Sequence, residues 1–140
     1  MSEIKEKRFN LEINSDTRFL SQVEKLSEEV AAYAQMDESE SDDLGIVTTE
    51  LVNNAIHHGN KSNPQKKVRV SFLVNNQRIE LRIKDEGNGF DPAKLKDPLA
   101  PENLMNESGR GIFLIRALMD SLDFNFSESG TETVVIKNLH

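Results

Sequence analysis

Val68-Arg-Val-Ser-Phe-Leu-Val74-Asn-Asn-Gln-Arg-Ile79-Glu-Leu-Arg-Ile83-Lys-Asp85-Glu-Gly87-Asn-Gly89 is the stretch on which the fold turns. Val68, Val70, Phe72 and Val74 alternate with polar residues, Leu73 apart. Ile79, Leu81 and Ile83 alternate with Arg78, Glu80, Arg82 and Lys84. A period of two makes each run a strand with one buried face. Asn75-Asn76-Gln77 joins the runs as a hairpin. The same parity carries to Asp85, whose side chain is expected on the core side with Ile79, Leu81 and Ile83.

On the N-terminal side, Phe9, Leu11 and Ile13 alternate with Arg8, Asn10 and Glu12, which predicts a further half-buried strand. Ser15 offers a side-chain oxygen to cap a helix whose apolar face is Phe19, Val23, Leu26, Val30 and Ala34. Met36 to Ser41 reads as a loop, with Ser39 or Ser41 capping a second helix and Asp42 and Asp43 near its positive end. Leu44, Val47, Leu51 and Ala55 form its buried stripe, and Gly59-Asn60 ends it ahead of Pro64. On the C-terminal side, periodicity vanishes from Phe90 to Ser108, where Pro92, Pro98 and Pro101 break any helix. A mobile functional loop is expected there. Ile112, Ile115, Leu118 and Met119 mark a third helix; Leu122, Phe124 and Phe126, then Val134 to Lys137, mark two strands around a turn at Ser127 to Gly130. The order β-α-α-β-β-loop-α-β-β predicts an α+β two-layer sandwich, one domain over residues 1–140. Its sheet should be mixed but mostly antiparallel, with the helices on one face.

Three constellations could carry chemistry. In Glu50-Leu-Val-Asn-Asn54-Ala-Ile-His-His58, helical spacing puts Glu50, Asn54 and His57 or His58 in one polar stripe beside the apolar one. An Asn oxygen suits Mg²⁺, which keeps waters and prefers substrate phosphates as its other ligands. A carboxylate nearby can serve as base toward a hydroxyl or a water. Asp85, if buried, requires donors, and the exocyclic amine of adenine is one. Gly87 and Gly89 would let the backbone approach a flat base or take positive φ. Ser108-Gly109-Arg110-Gly111 opens a helix whose free N–H groups and dipole attract phosphate. Taken singly, the first and third read more readily as an ordinary polar helix flank and a loop-to-helix junction, and the second as readily as a strand-end turn.

Composition narrows the classes. There is no cysteine among the 140 residues, so disulfides and thiolate metal sites are excluded. Three histidines, two of them adjacent, do not make a zinc cage. The net charge of −7 disfavours direct nucleic-acid binding. Apolar runs are too short for a membrane span, and Met1-Ser-Glu-Ile-Lys-Glu-Lys has no secretion-signal stretch, so the expected location is cytoplasmic.

The order and spacing of the three constellations are more telling than any one of them. A Glu-x-x-x-Asn helix, an Asp-x-Gly-x-Gly turn after a hairpin, a long loop, a Gly-x-Gly helix start and a terminal Gly130-Thr131 strand resemble the Bergerat ATP-binding fold. That is the family of gyrase, the large heat-shock chaperone ATPases, MutL and the histidine kinases. The resemblance covers nearly the whole chain. The short form looks like the bacterial anti-sigma-factor serine/threonine kinases of the RsbW and SpoIIAB type. It implies ATP and Mg²⁺ as cofactors, with Asn54 on the metal, Glu50 as general base and Asp85 on the adenine amine. Gly87 and Gly89 would shape the base pocket. Gly109, Arg110 and Gly111 would border the phosphates at the hinge of a lid over residues 90–108. Thr131 would assist at the adenine, and His58-Gly59 matches the end of the helix motif.

One position departs from the pattern. The spore-forming branch carries arginine two residues before the lid's first glycine, where this chain has Glu107. The contacts of that arginine are therefore not carried over. The implied function is a kinase that phosphorylates a serine or threonine of an anti-anti-sigma antagonist and sequesters a sigma factor. A homodimer is the assembly the resemblance allows. The alternative is a non-catalytic ATP-binding module, against which the intact Glu50 argues. A fragment of a sensor kinase or of a larger ATPase is not expected, because neither a phosphoacceptor hairpin nor a transducer domain is read in the chain.

Overall fold

The structure, a computed structural model, describes residues 3–87 and 107–139, with the backbone alone for 107–110. The strand β1 is Lys7–Asn14, with Phe9 and Ile13 buried. A 3₁₀ turn at Thr17–Phe19 leads into the helix α1, Leu20–Tyr33. The helix α2 is Glu38–Asn54, and it widens into a π-turn at Ala55–Gly59. Beyond it lie β2 (Lys67–Val74), β3 (Arg78–Asp85), α3 (Glu107–Leu118), β4 (Ser121–Ser127) and β5 (Gly130–Asn138).

The five strands form one sheet in the order β1-β2-β3-β5-β4. Every pairing is antiparallel, so the parallel contribution allowed by the sequence reading is absent among the described strands. The hairpin registers as its alternation requires, with Phe72 opposite Leu81 and Val70 opposite Ile83. Val68, Val70, Phe72 and Val74 of β2 and Ile79, Leu81 and Ile83 of β3 are buried under the helices. Val23, Val30 and Ala31 of α1, Leu44, Val47, Leu51 and Val52 of α2, and Ile112 and Ile115 of α3 close the core from the other layer. Fully burying one such side chain stabilises by roughly 1.5–3 kcal/mol, so this face dominates the fold. The opposite sheet face is charged. There Arg82 reaches Glu132 at 2.9 Å and Glu80 at 3.4 Å, and Arg69 lies 3.7 Å from Glu12.

Two helix starts differ from the sequence expectation. Ser15 caps nothing. It is still paired to the sheet margin, its N–H donating to the Lys66 carbonyl at 3.0 Å, so the chain cannot yet turn. Asp16 takes over, accepting from the Arg18 N–H at 3.0 Å. For α2, neither Ser39 nor Ser41 is the cap, and the helix begins inside the expected loop. Asp37 accepts from the Glu40 N–H at 2.8 Å while the Glu40 carboxylate accepts from the Asp37 N–H at 3.2 Å. This reciprocal box satisfies two otherwise orphaned donors, which a lone serine cannot do.

Candidate nucleotide site

Asp85 lies where strand parity predicts. Its side chain faces the core side, opposite Val68 in register, and the residue is 5% exposed. Two backbone donors meet its Oδ1 at 3.0 Å each, from Gly87 and from Thr131. A carboxylate without such donors would be costly at this depth. Glycines wall it in. A Cβ on Gly59 would lie 2.1 Å from Asp85 Oδ2, and one on Gly130 would lie 2.3 Å from the Asp85 carbonyl oxygen. Gly130 has φ of 132°, a conformation that side chains rarely adopt. Gly87 also has a use inside the protein. It needs no positive φ, and a Cβ there would sit 2.6 Å from the Gly59 carbonyl oxygen. Its smallness serves the approach of the strand end to the end of the α2 segment.

The α2 segment supplies that wall because it does not end as a plain helix. The Asn60 N–H donates to the Ala55 carbonyl at 2.8 Å, a bond five residues long. Such π-turns recur at functional sites because they re-aim the residues just beyond them. One turn earlier, Glu50 and Asn54 are half-buried, and neither makes a side-chain hydrogen bond among the described residues. The Glu50 carboxylate rests on α3: a Cβ on Gly111 would lie 2.1 Å from Glu50 Oε1. His57 and His58 are exposed on the widened turn, with His57 Nδ1 2.9 Å from Ser62 Oγ.

The structure therefore brings together Gly59, Asp85, Gly87, Gly130 and Thr131 at one contact, and Glu50 and Gly111 at another. The two contacts are linked through α2 and its π-turn. Gly109 and Arg110 contribute backbone to the first turns of α3, which begins at Glu107, so the glycine pair lies within the helix start and not ahead of it. Gly89 and residues 90–106 of the expected lid fall outside the described residues. Sequence reading missed the roles of Gly59 and Gly130 as walls and of Asn60 beside them. The signal available was a glycine at each chain segment converging on Asp85.

Among the described residues no group of three or more His, Cys, Asp or Glu side chains converges as a metal cage. A half-buried Asn54 without a side-chain partner among the described residues, one turn from a carboxylate, fits a hard cation that draws most of its ligands from phosphate and water. Close backbone walls beside an inward carboxylate suit a flat base carrying an amine. No helix of the described residues is long and apolar enough to cross a membrane.

The histidine kinase-like ATPase domain family matches residues 13–137 of this chain. Serine-protein kinase RsbW of Oceanobacillus iheyensis is 33% identical over 90 residues, covering 60% of this chain and 57% of that protein. RsbW of Staphylococcus epidermidis is 34% identical over 103 residues, 69% of this chain and 64% of that one. RsbW of Listeria monocytogenes serotype 4a is 27% identical over 117 residues, with 79% and 74% covered. The chain thus spans less than two thirds of the length of the first two relatives. Among solved structures, the mycobacterial sensor histidine kinase MprB superposes with a TM-score of 0.54 at 18% identity, over 93% of this chain and 97% of that one. The histidine kinase domain of the Erythrobacter litoralis EL346 blue-light activated kinase gives 0.54 at 14% identity, over 91% and 62%. At those identities the likeness is one of fold.

Proposed function

Since the chain belongs to the histidine kinase-like ATPase domain family, we propose that it is an ATP-dependent serine/threonine protein kinase acting as an anti-sigma factor. What supports this is the meeting of four distant stretches: Asp85 against Gly59 and Gly130, and Glu50 against Gly111. In this reading Asp85 accepts from the adenine amine while Gly87 and Thr131 hold its other face. Gly59, Gly87 and the downstream Gly89 keep side chains out of the plane of the base. The start of α3, with Gly109, Arg110 and Gly111, borders the phosphates, where free N–H groups favour anions. Asn54 is the residue that would hold Mg²⁺, which supplies neutralisation of phosphate charge. His58, on the exposed turn, is assigned to the phosphate-side rim.

Glu50 does the proton work. A serine or threonine hydroxyl of the antagonist attacks the γ-phosphorus, and the bond to the β–γ bridging oxygen breaks. ADP leaves with that electron pair, and Glu50 takes the hydroxyl proton. General-base assistance of this kind contributes typically ~10²- to 10⁴-fold, the rest coming from positioning and electrostatics. The phosphorylated antagonist no longer displaces the sigma factor, which this chain sequesters in the cytoplasm. The edge strand β1 is the surface assigned to a homodimer. Transfer of labelled γ-phosphate to a candidate antagonist, comparing wild type with Glu50→Ala, tests the reading. Transfer that survives the substitution removes Glu50 from the mechanism. ATP binding without transfer to any antagonist would make the chain a non-catalytic module.

A further inference from the structure

Asn60 is 1% exposed and lies next to Gly59, the wall of the Asp85 pocket. Both of its amide protons and its oxygen are bonded. The amide nitrogen donates to Ser15 Oγ at 2.7 Å and to the Lys67 carbonyl at 2.9 Å. Its oxygen accepts from the Glu86 N–H at 2.7 Å. Ser15 commits its own proton to the Lys66 carbonyl at 2.8 Å, so the lone pair it turns to Asn60 is fixed in direction. One carboxamide thereby ties the end of β1, the start of β2, the end of β3 and the end of α2. A carboxylate lacks the two donors and a hydroxyl lacks the reach, so the residue type is dictated by the geometry.

Two of these three bonds hold strands and carry no information about the pocket. The third does. The Glu86 N–H belongs to the same rigid peptide plane as the Asp85 carbonyl. That carbonyl lies directly under Gly130, and the Asp85 carboxylate lies against Gly59. Fixing this plane fixes ψ of Asp85 and so where the Gly87 N–H meets the carboxylate, which holds the carboxylate in its direction. Asn60 therefore grips the pocket from both sides, through its backbone at the Gly59 wall and through its oxygen at the peptide after Asp85.

We propose that Asn60 is a positioning residue for base recognition, setting the aim of the Asp85 carboxylate through the Glu86 N–H. The inference rests on the reading of Asp85 as the adenine-binding acid. Discrimination between ATP and inosine triphosphate, which carries oxygen where ATP carries the exocyclic amine, isolates that function from general pocket damage. Calorimetric affinities for both nucleotides are to be measured with Mg²⁺ on wild type, Asn60→Ala, Asn60→Ser, Ser15→Ala and Asp85→Asn. Asn60→Ala is expected to shrink the ATP-to-inosine preference about tenfold, as loss of one well-aimed bond to an ionised group does. Asn60→Ser, one bond too short to reach Glu86 but still polar, is expected to do the same and covers the case in which the alanine variant fails to fold. Ser15→Ala removes a strand-holding bond and lowers the unfolding midpoint, yet keeps the wild-type preference.

An Asn60 variant that weakens both nucleotides equally, or that keeps the wild-type preference while Asp85→Asn has lost it, overturns the proposal. If Asp85→Asn itself keeps the preference, the base-pocket reading fails and this inference fails with it.

Discussion

Asp85 and Glu50 are the two acids of the proposed site, and they are held in opposite ways. Asp85 is 5% exposed, takes two backbone N–H bonds at 3.0 Å on one oxygen, and is walled by glycines from three segments. Glu50 is half-buried, touches Gly111, and has no side-chain hydrogen bond among the described residues. The part that would read the base is finished before a ligand arrives. The part that would move a proton is left loose, to be completed by the phosphates, the metal and the incoming hydroxyl. In the proposed reading, preorganisation is concentrated where selectivity is needed, and freedom is kept where two substrates would meet.

The largest expected effect is on transfer without binding. Glu50→Ala is expected to slow phosphate transfer by roughly 10²- to 10⁴-fold, the usual range for removing a general base. ATP affinity by calorimetry should stay near wild type, because in the proposed reading the carboxylate takes no part in reading the base. A parallel fall in affinity would mean that Glu50 is as much a part of the preformed pocket as Asp85, and the contrast would disappear.

Next come two glycines with the same nominal overlap. A Cβ at Gly59 and a Cβ at Gly111 would each lie 2.1 Å from a carboxylate oxygen. At Gly59 that oxygen belongs to Asp85, which has nowhere to go. Gly59→Ala should cost about 1–3 kcal/mol in urea unfolding, as overpacking does, and should weaken ATP binding with it. At Gly111 the oxygen belongs to Glu50, which can swing toward solvent. The substitution lies inside α3, where alanine is favoured over glycine by about 0.8–1 kcal/mol. Gly111→Ala should therefore leave stability unchanged or slightly raised while transfer falls, since the displaced base no longer faces the hydroxyl. Equal destabilisation by the two variants would show that Glu50 is as immobile as Asp85.

This contrast also explains what the sequence could and could not disclose. The core-side orientation of Asp85 was legible because strand parity is a local rule that Ile79, Leu81 and Ile83 already obey. The stripe of Leu44, Val47, Leu51 and Ala55 was legible for the same reason, and all four are buried. The cradle was not. Gly59, Gly87 and Gly130 are far apart in sequence, and only sheet register and the π-turn bring them to one carboxylate. Ser15 illustrates the same limit from the other side. As a helix cap it satisfied every local signal, but the Lys66 carbonyl and the Asn60 amide, both distant in sequence, claimed it first. Asp37 displaced Ser39 and Ser41 for a purely local reason, the reciprocal bond with Glu40, and a stricter search for capping boxes would have found it.

The smallest expected effect is the sharpest test of looseness. Asn54 is the last residue of α2, half-buried, with no side-chain hydrogen bond among the described residues. Truncating it leaves no donor or acceptor orphaned, and alanine is the better helix former. Asn54→Ala should therefore shift ligand-free unfolding by no more than about 0.5 kcal/mol, as substitutions away from packed or bonded features do. Its effect should appear only when metal and triphosphate are both present: ATP affinity with Mg²⁺ falls, while affinity in the presence of a chelator stays where it was. A clear loss of stability without nucleotide would mean that the carboxamide has a structural partner. The catalytic stripe would then be built as rigidly as the base pocket, and the division of labour between the two acids would have to be abandoned.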